Sequence, residues 1–274
     1  MANPITTMAL GVATTGIAVA TRRPWGSKAN TFLASQEFID EPGQLMSNLA
    51  TVLHDAAWKK KSIAVVVGDA LVRLFMVSPP ANARSPGDLQ LAASLRFQAL
   101  YGEAPEQWSI CGAWSAHRRF LACALPGEFR IKLHAACAIQ ALRITALQPH
   151  FVAAWNFWRN QLPENAWFGV FHEDLLSVGV VTAAGLADVR RLAVSAQARL
   201  DPGWLTEMLE RESLRAGLAL PSGICCCGSV PPAWLEQAAG RPAAFKAGRP
   251  RQETPISHGP GGRLLGSIGE MTWH

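Results

Sequence analysis

"SIAVVVGDALVRLFMVSPP", residues 62 to 80, carries the reading on which the fold turns. Ile63 to Val67 is apolar without alternation, the pattern of a strand buried on both faces in a mixed sheet with helices on either side. Gly68 and Asp69 then supply a turn, and a second extended run follows it to Pro79 and Pro80. Upstream, residues 8 to 23 read as a strand pair, "MALGVA" and "IAVATRR", joined by the turn "TTG". "TFLASQEFID" makes a third strand. In "EPGQLMSNLATVLHDAAW" the period changes, placing Leu45, Leu49, Val52, Leu53 and Ala56 on one face of a covering helix.

Downstream, an inserted subdomain is expected over about residues 85–140. "SPGDLQLAASLRFQALYG" opens with helix-capping residues and spaces Leu89, Ala92, Ala93, Leu95, Phe97 and Leu100 as a helix does. "EQWSICGAWSA" and "RRFLACALP" form a hairpin, and "EFRIKLHAACAIQAL" a further helix. "RITALQPHFVAAWNFWRNQL" gives a short strand, Pro149, and a helix whose Phe151, Trp155 and Trp158 stripe reads as core. A second block then begins. "WFGVFH", "DLLSVGVVTAA" and "LADVRRLAV" are three successive strands, "PGWLTEMLERESLRAG" a helix, "SGICCCGS" a strand, "PPAWLEQAAG" a short helix and "PAAFKAG" a last strand. The chain therefore divides into a first half (1–160), a second and shorter half (161–248) and a Gly/Pro/Arg-rich tail (249–274).

Composition narrows the classes. The 274 residues are 49% hydrophobic and 16% charged, which suits a folded chain with a large core. A net charge of +5 rests mainly on scattered arginines; it fits an acidic protein partner or a membrane surface, and no dense Lys/Arg run favours nucleic acid. Ala18-Val19-Ala20 looks like a signal-peptidase site, but Arg22 and Arg23 follow the apolar stretch instead of preceding it. The N-terminus is therefore read as mature structure and the protein as cytoplasmic, held at a membrane through a partner.

Two consecutive blocks of three strands, helix, strand and helix are what a duplicated ribonuclease-H-like architecture produces, the actin-like ATPase plan. Particular stretches resemble the group used in type IV pilus and type II secretion assembly, the PilM and GspL proteins. "SIAVVVGDALVRLFMVSPP", "LQLAASLRFQALYGEAPEQWSI", "LHAACAIQALRITALQPHFVAAWNF" and "CCGSVPPAWLEQ" are similar to segments of that group and occur in the same order. The fold class implied is α/β: a duplicated actin-like fold with an inserted α/β subdomain and a reduced second half.

The same resemblance implies a nucleotide cleft, and its chemistry is eroded. An actin-like ATPase holds phosphates with two hairpin turns, where small residues let backbone N–H groups approach the oxygens and an acidic residue serves the metal. In "LGVATTGIAVA" the family's acidic position falls on Ala13 and its close-approach glycine on Thr15, leaving Thr14, Thr15 and Gly16 as donors. In "FGVFHEDLLSVGVV" the Asp-x-Gly positions fall on Val170 and His172. Glu173 and Asp174 stand beside that turn, where two carboxylates without a cation repel phosphate. On the adenine side Cys227 replaces the first glycine, Gly228 is kept and Ser229 follows.

Cys225, Cys226 and Cys227 alternate across a strand and lack a CxxC or histidine partner, so they read as packing, with a thiol or metal site as the alternative. The resemblance thus implies a non-catalytic scaffold, without cofactor or metal, that binds an inner-membrane assembly protein through a short cytoplasmic segment. The alternative is a PilM-like ATPase or switch that still holds ATP and magnesium through Thr14, Thr15, Gly16, Gly228 and Ser229. A homodimer stays open.

Overall fold

The computed structural model describes residues 7–22, 31–38, 43–54, 60–220, 223–236, 263 and 271–273. Its first sheet begins with a meander, β1 (Thr7–Val12), β2 (Gly16–Arg22) and β3 (Thr31–Glu37), each strand antiparallel to the one before. Helix α1 (Gln44–Leu53) follows and buries Leu49, Val52 and Leu53. The unbroken apolar run becomes β4 (Ser62–Val67), parallel to β1, and β8 (Arg143–Pro149) adds in parallel beyond it. The order is β3-β2-β1-β4-β8. Ala18, Val19 and Ala20 are buried in β2.

The second sheet repeats that pattern. β9 (Ala166–His172), β10 (Leu175–Thr182) and β11 (Gly185–Ala193) form the meander, and β12 (Ile224–Gly228) runs parallel to β9 as β4 does to β1. Between them lie α5 (Ala196–Leu200) and α6 (Trp204–Ala216), and α7 (Pro232–Glu236) follows β12. The expected strand over 242–248 lies outside the described residues. The position beside β12 is taken by β13 (Met271–Trp273), which is antiparallel. Part of the tail is therefore a component of the second half's sheet.

The extended run expected after the Gly-Asp turn is present, but in another sheet. A 3-10 turn at Asp69–Leu71 redirects the chain, and β5 (Arg73–Val77) leaves the first sheet for a three-stranded one. There it pairs with β7 (Phe120–Pro126), whose other neighbour is β6 (Trp108–Gly112). Helix α2 (Pro86–Tyr101) packs on this sheet through Leu89, Ala93 and Phe97, which meet Phe75, Val77 and Phe120. Its start is a capping box between Ser85 and Asp88 with Pro86 in the first turn, and it stops at Gly102 with φ +68°. Helix α3 (Gly127–Ile139) returns toward the first half. The small sheet thus begins at β5, whose Phe75 and Val77 pack under α2 in the subdomain's own core while Leu74 and Met76 face the central core.

Helix α4 (His150–Trp158) sits between the two large sheets. Ala153 meets Ala9, Ala20 and Val66 of the first, where only small residues allow close approach. Phe151 and Trp155 meet Phe168 of the second, with ring centroids 5.4 and 5.8 Å away. The cysteine run straddles two cores: Cys225 and Cys227 join the central one, Cys226 the one beneath α6 and α7. Burial pushes the Cys226 thiol up to about 12 and raises its two neighbours as well, so all three are protonated packing groups.

Candidate functional site

The two hairpin tips expected to hold phosphate face each other. In the first, the Ala13 N–H donates to Gly16 O at 2.8 Å, which leaves Thr14 and Thr15 at the tip, half-buried. Gly16 itself is buried at the start of β2. The second tip is Glu173 and Asp174, between β9 and β10. Glu173 takes a left-handed backbone with φ +53°, uncommon for a residue other than glycine, asparagine or aspartate and characteristic of sites held by their surroundings.

What holds it is the first tip. Glu173 Oε1 accepts from Thr14 Oγ1 at 2.8 Å, from Thr15 Oγ1 at 2.9 Å and from the Thr15 backbone N–H at 3.2 Å. Its other oxygen lies 3.8 Å from His172 Nδ1. With only 14% of its side chain exposed, the carboxylate is an internal anion seated in a cradle of two hydroxyls and one backbone N–H. Asp174 turns outward to pair with Arg199.

Behind these turns lies a second polar centre. Asp69, buried on the turn after β4, accepts the Phe151 N–H at 3.0 and 3.2 Å and so caps the N-terminus of α4, where Pro149 has no side-chain acceptor to offer. The Ser177 hydroxyl of β10 is beside it. Burial raises the carboxyl to about 6, opposed by the Phe151 N–H, Ser177 and the Arg191 guanidinium. Arg191, on β11, donates to the backbone oxygens of Asp69, at 2.7 Å, and of Val72, joining the second half to the start of the subdomain. Arg118 of the β6–β7 loop makes a further bond across, to Ala184 O at 3.2 Å. His150 and His172 meet edge to face, 5.6 Å apart. Burial, with His172 beside it, holds His150 well below the usual imidazole range, so it is neutral.

The remaining expected residues, Gly228 and Ser229, serve the second half itself. Gly228 has φ +100°, and a Cβ there would lie 1.9 Å from Phe171 O, so only glycine fits. The Ser229 N–H donates to that same Phe171 oxygen at 3.1 Å. Trp234 of α7 packs edge-on against Phe171, stacks on Trp204 and donates from its indole to Ala198 O at 2.9 Å. Both turns therefore converge on the end of β9, Gly228 at Phe171 and the threonines at Glu173. Among the described residues no cluster of three or more His, Cys, Asp or Glu side chains is placed to hold a metal ion.

No protein-family model matches the chain, and no curated protein matches it in sequence. Among solved structures it is similar to one of the PilM-PilN type IV pilus biogenesis complex, over 78% of this chain and 68% of that one, at 15% identity and a TM-score of 0.53. A Bacteroides thetaiotaomicron protein with actin-like ATPase fold and unknown function matches over 77% and 78%, at 11% identity and a TM-score of 0.53. The cytoplasmic domain of EpsL, an inner membrane component of the Vibrio cholerae type II secretion system, matches over 74% of each chain, at 13% identity and a TM-score of 0.49. The likeness lies in the fold.

This chain has the actin-like ATPase fold.

Of the residues expected at the metal and close-approach positions, three are buried in packing and Thr15 bonds Glu173. Ala13 is fully buried, and Val170 and His172 are buried in β9. The two tips are joined directly by protein atoms, with Glu173 where they meet and Asp69 and Arg191 behind them. Sequence reasoning placed Thr14 and Thr15 but missed Glu173 as their partner. The available signal was a carboxylate at one tip opposite two hydroxyls at the other. Asp69, His150 and Arg191 were also missed, since the Gly-Asp pair reads as an ordinary turn.

Proposed function

We propose that the chain is a non-catalytic actin-like scaffold of a type IV pilus or type II secretion-like assembly system. It binds an inner-membrane assembly protein through a short cytoplasmic segment of that partner, as a protein peripheral to the inner membrane. The reading is carried by the Glu173 carboxylate in the Thr14–Thr15 cradle: an internal anion takes the donors that a phosphate would need and ties the halves together without nucleotide. A bound phosphate must displace this carboxylate or meet it at close range with no cation between them, and Coulomb repulsion opposes the second course. The assembly role is supported by the order of the PilM- and GspL-like segments and by the fold shared with the PilM-PilN complex. Among the described residues no helix is long and apolar enough to cross a membrane, which accords with attachment through a partner.

The test is co-purification of the tagged full chain with the cytoplasmic segments of the inner-membrane assembly proteins from the same system. Recovery of one of them at stoichiometric level is expected. Failure to retain any, with the chain folded by circular dichroism, contradicts the scaffold role.

A further inference from the structure

Cys111 and Cys123 are directly opposed on neighbouring antiparallel strands, β6 and β7. The Ala113 N–H donates to Leu121 O at 3.0 Å, which makes that couple a hydrogen-bonded one. Two residues along, Cys111 and Cys123 are again a hydrogen-bonded couple, whose α-carbons stand about 5.5 Å apart, within the range that disulfides span. Directly opposed β-carbons lie about 4.5–5.5 Å apart and a disulfide needs about 3.5–4.5 Å, so closure draws the strands together by about 1 Å. β6 can yield, being an edge strand that among the described residues pairs with β7 alone. Directly opposed residues carry their side chains on the same face of the sheet, so the two thiols share one face. Access is graded too. Cys111 is exposed and Cys123 half-buried, whereas Cys137 and the run 225–227 are buried.

We propose that Cys111 and Cys123 are a reversible thiol–disulfide site that reacts with small-molecule disulfides of the glutathione class. The Cys111 thiolate attacks one sulfur of the oxidant, forming a mixed disulfide and releasing one thiolate. Cys123 then loses its proton and attacks the Cys111 sulfur, expelling the second. Two protein thiols and one small disulfide become one protein disulfide and two small thiols. Burial, which raises Cys123 to about 12, makes the second step the slow one, and the strain of closure makes the product easy to reduce. The β6–β7 hairpin that the disulfide would clamp also carries Arg118, one of the residues that bond the second half, at Ala184.

The experiment treats the full chain with oxidised glutathione, alkylates remaining thiols after denaturation and reads intact mass and peptide maps. Two of the six thiols are expected to be lost, with the mass of two hydrogens, a cross-link between the peptides holding Cys111 and Cys123, and full recovery under dithiothreitol. C123S and C123A, the second guarding against a folding defect in the first, should stop at a glutathione adduct on Cys111. A stable adduct on Cys111 in the unmodified chain with Cys123 still alkylated overturns the proposal. So does the absence of any reaction.

Discussion

Replacing Glu173 with alanine strips three donors of their shared acceptor at once. Hydrogen bonds to a charged group contribute about 1.5–3 kcal/mol each. These three converge on one oxygen, and the half-buried Thr14 and Thr15 regain some water when it goes, so the loss falls short of their sum. A destabilisation of about 2–4 kcal/mol is expected, equivalent to a fall in Tm of about 5–15 °C for a chain of this size. Glu173→Gln keeps an acceptor oxygen without the charge and should lose about half as much. The assay is urea denaturation followed by tryptophan fluorescence, which sees both the interdomain helix through Trp155 and the second sheet through Trp167. A cycle with a Thr14→Val, Thr15→Val double variant should give a coupling of at least about 1 kcal/mol, since the groups touch. A change for Glu173→Ala within about 0.5 kcal/mol, the range of an ordinary surface substitution, would refute the claim that this contact ties the halves.

Further outcomes follow from the buried centre and the glycine turn. Asp69 titrates near 6 when folded and near 3.8 when unfolded, so the folded state holds its proton more tightly and stability rises through this group as pH falls from about 6 to about 4. Asp69→Asn removes that contribution; the stability of the unmodified chain relative to the variant should grow by a quantity on the order of 3 kcal/mol between pH 7 and pH 4, read from paired denaturation curves. His150 acts with the opposite sign: held neutral when folded, it costs stability as pH falls through its unfolded value of 6.5, and both chains in that comparison share the cost. Arg191→Met leaves the Asp69 and Val72 carbonyls without their guanidinium donor and should cost about 2–3 kcal/mol by the same assay. Gly228→Ala forces a Cβ against Phe171 O and should cost more than about 3 kcal/mol or abolish soluble expression.

Much of the scaffold is written in local pattern. The unbroken "IAVVV" run gave a central strand, the change of period after Glu41 gave the helix that follows the first meander, and the alternation of three cysteines gave a strand packed on both faces. What local pattern does not hold is the destination of a strand. β5 reads as a continuation of the first half, yet it is built into the small sheet, a placement fixed by its pairing with β7 nearly fifty residues on. β13 likewise comes from a Gly- and Pro-rich tail whose composition says little about an edge position beside β12. The site was legible only by halves. The threonine tip could be placed, but its partner lies 158 residues away, and only the pairing of the two meanders brings the carboxylate to the hydroxyls.

The central claim, that a carboxylate of this chain fills the place a nucleotide's phosphate would take, is tested most directly by calorimetry of the full, unmodified chain with ATP and magnesium. The account predicts no heat of binding up to millimolar nucleotide. A saturable binding isotherm with a micromolar Kd, lost in the Thr14→Val, Thr15→Val variant, would contradict it.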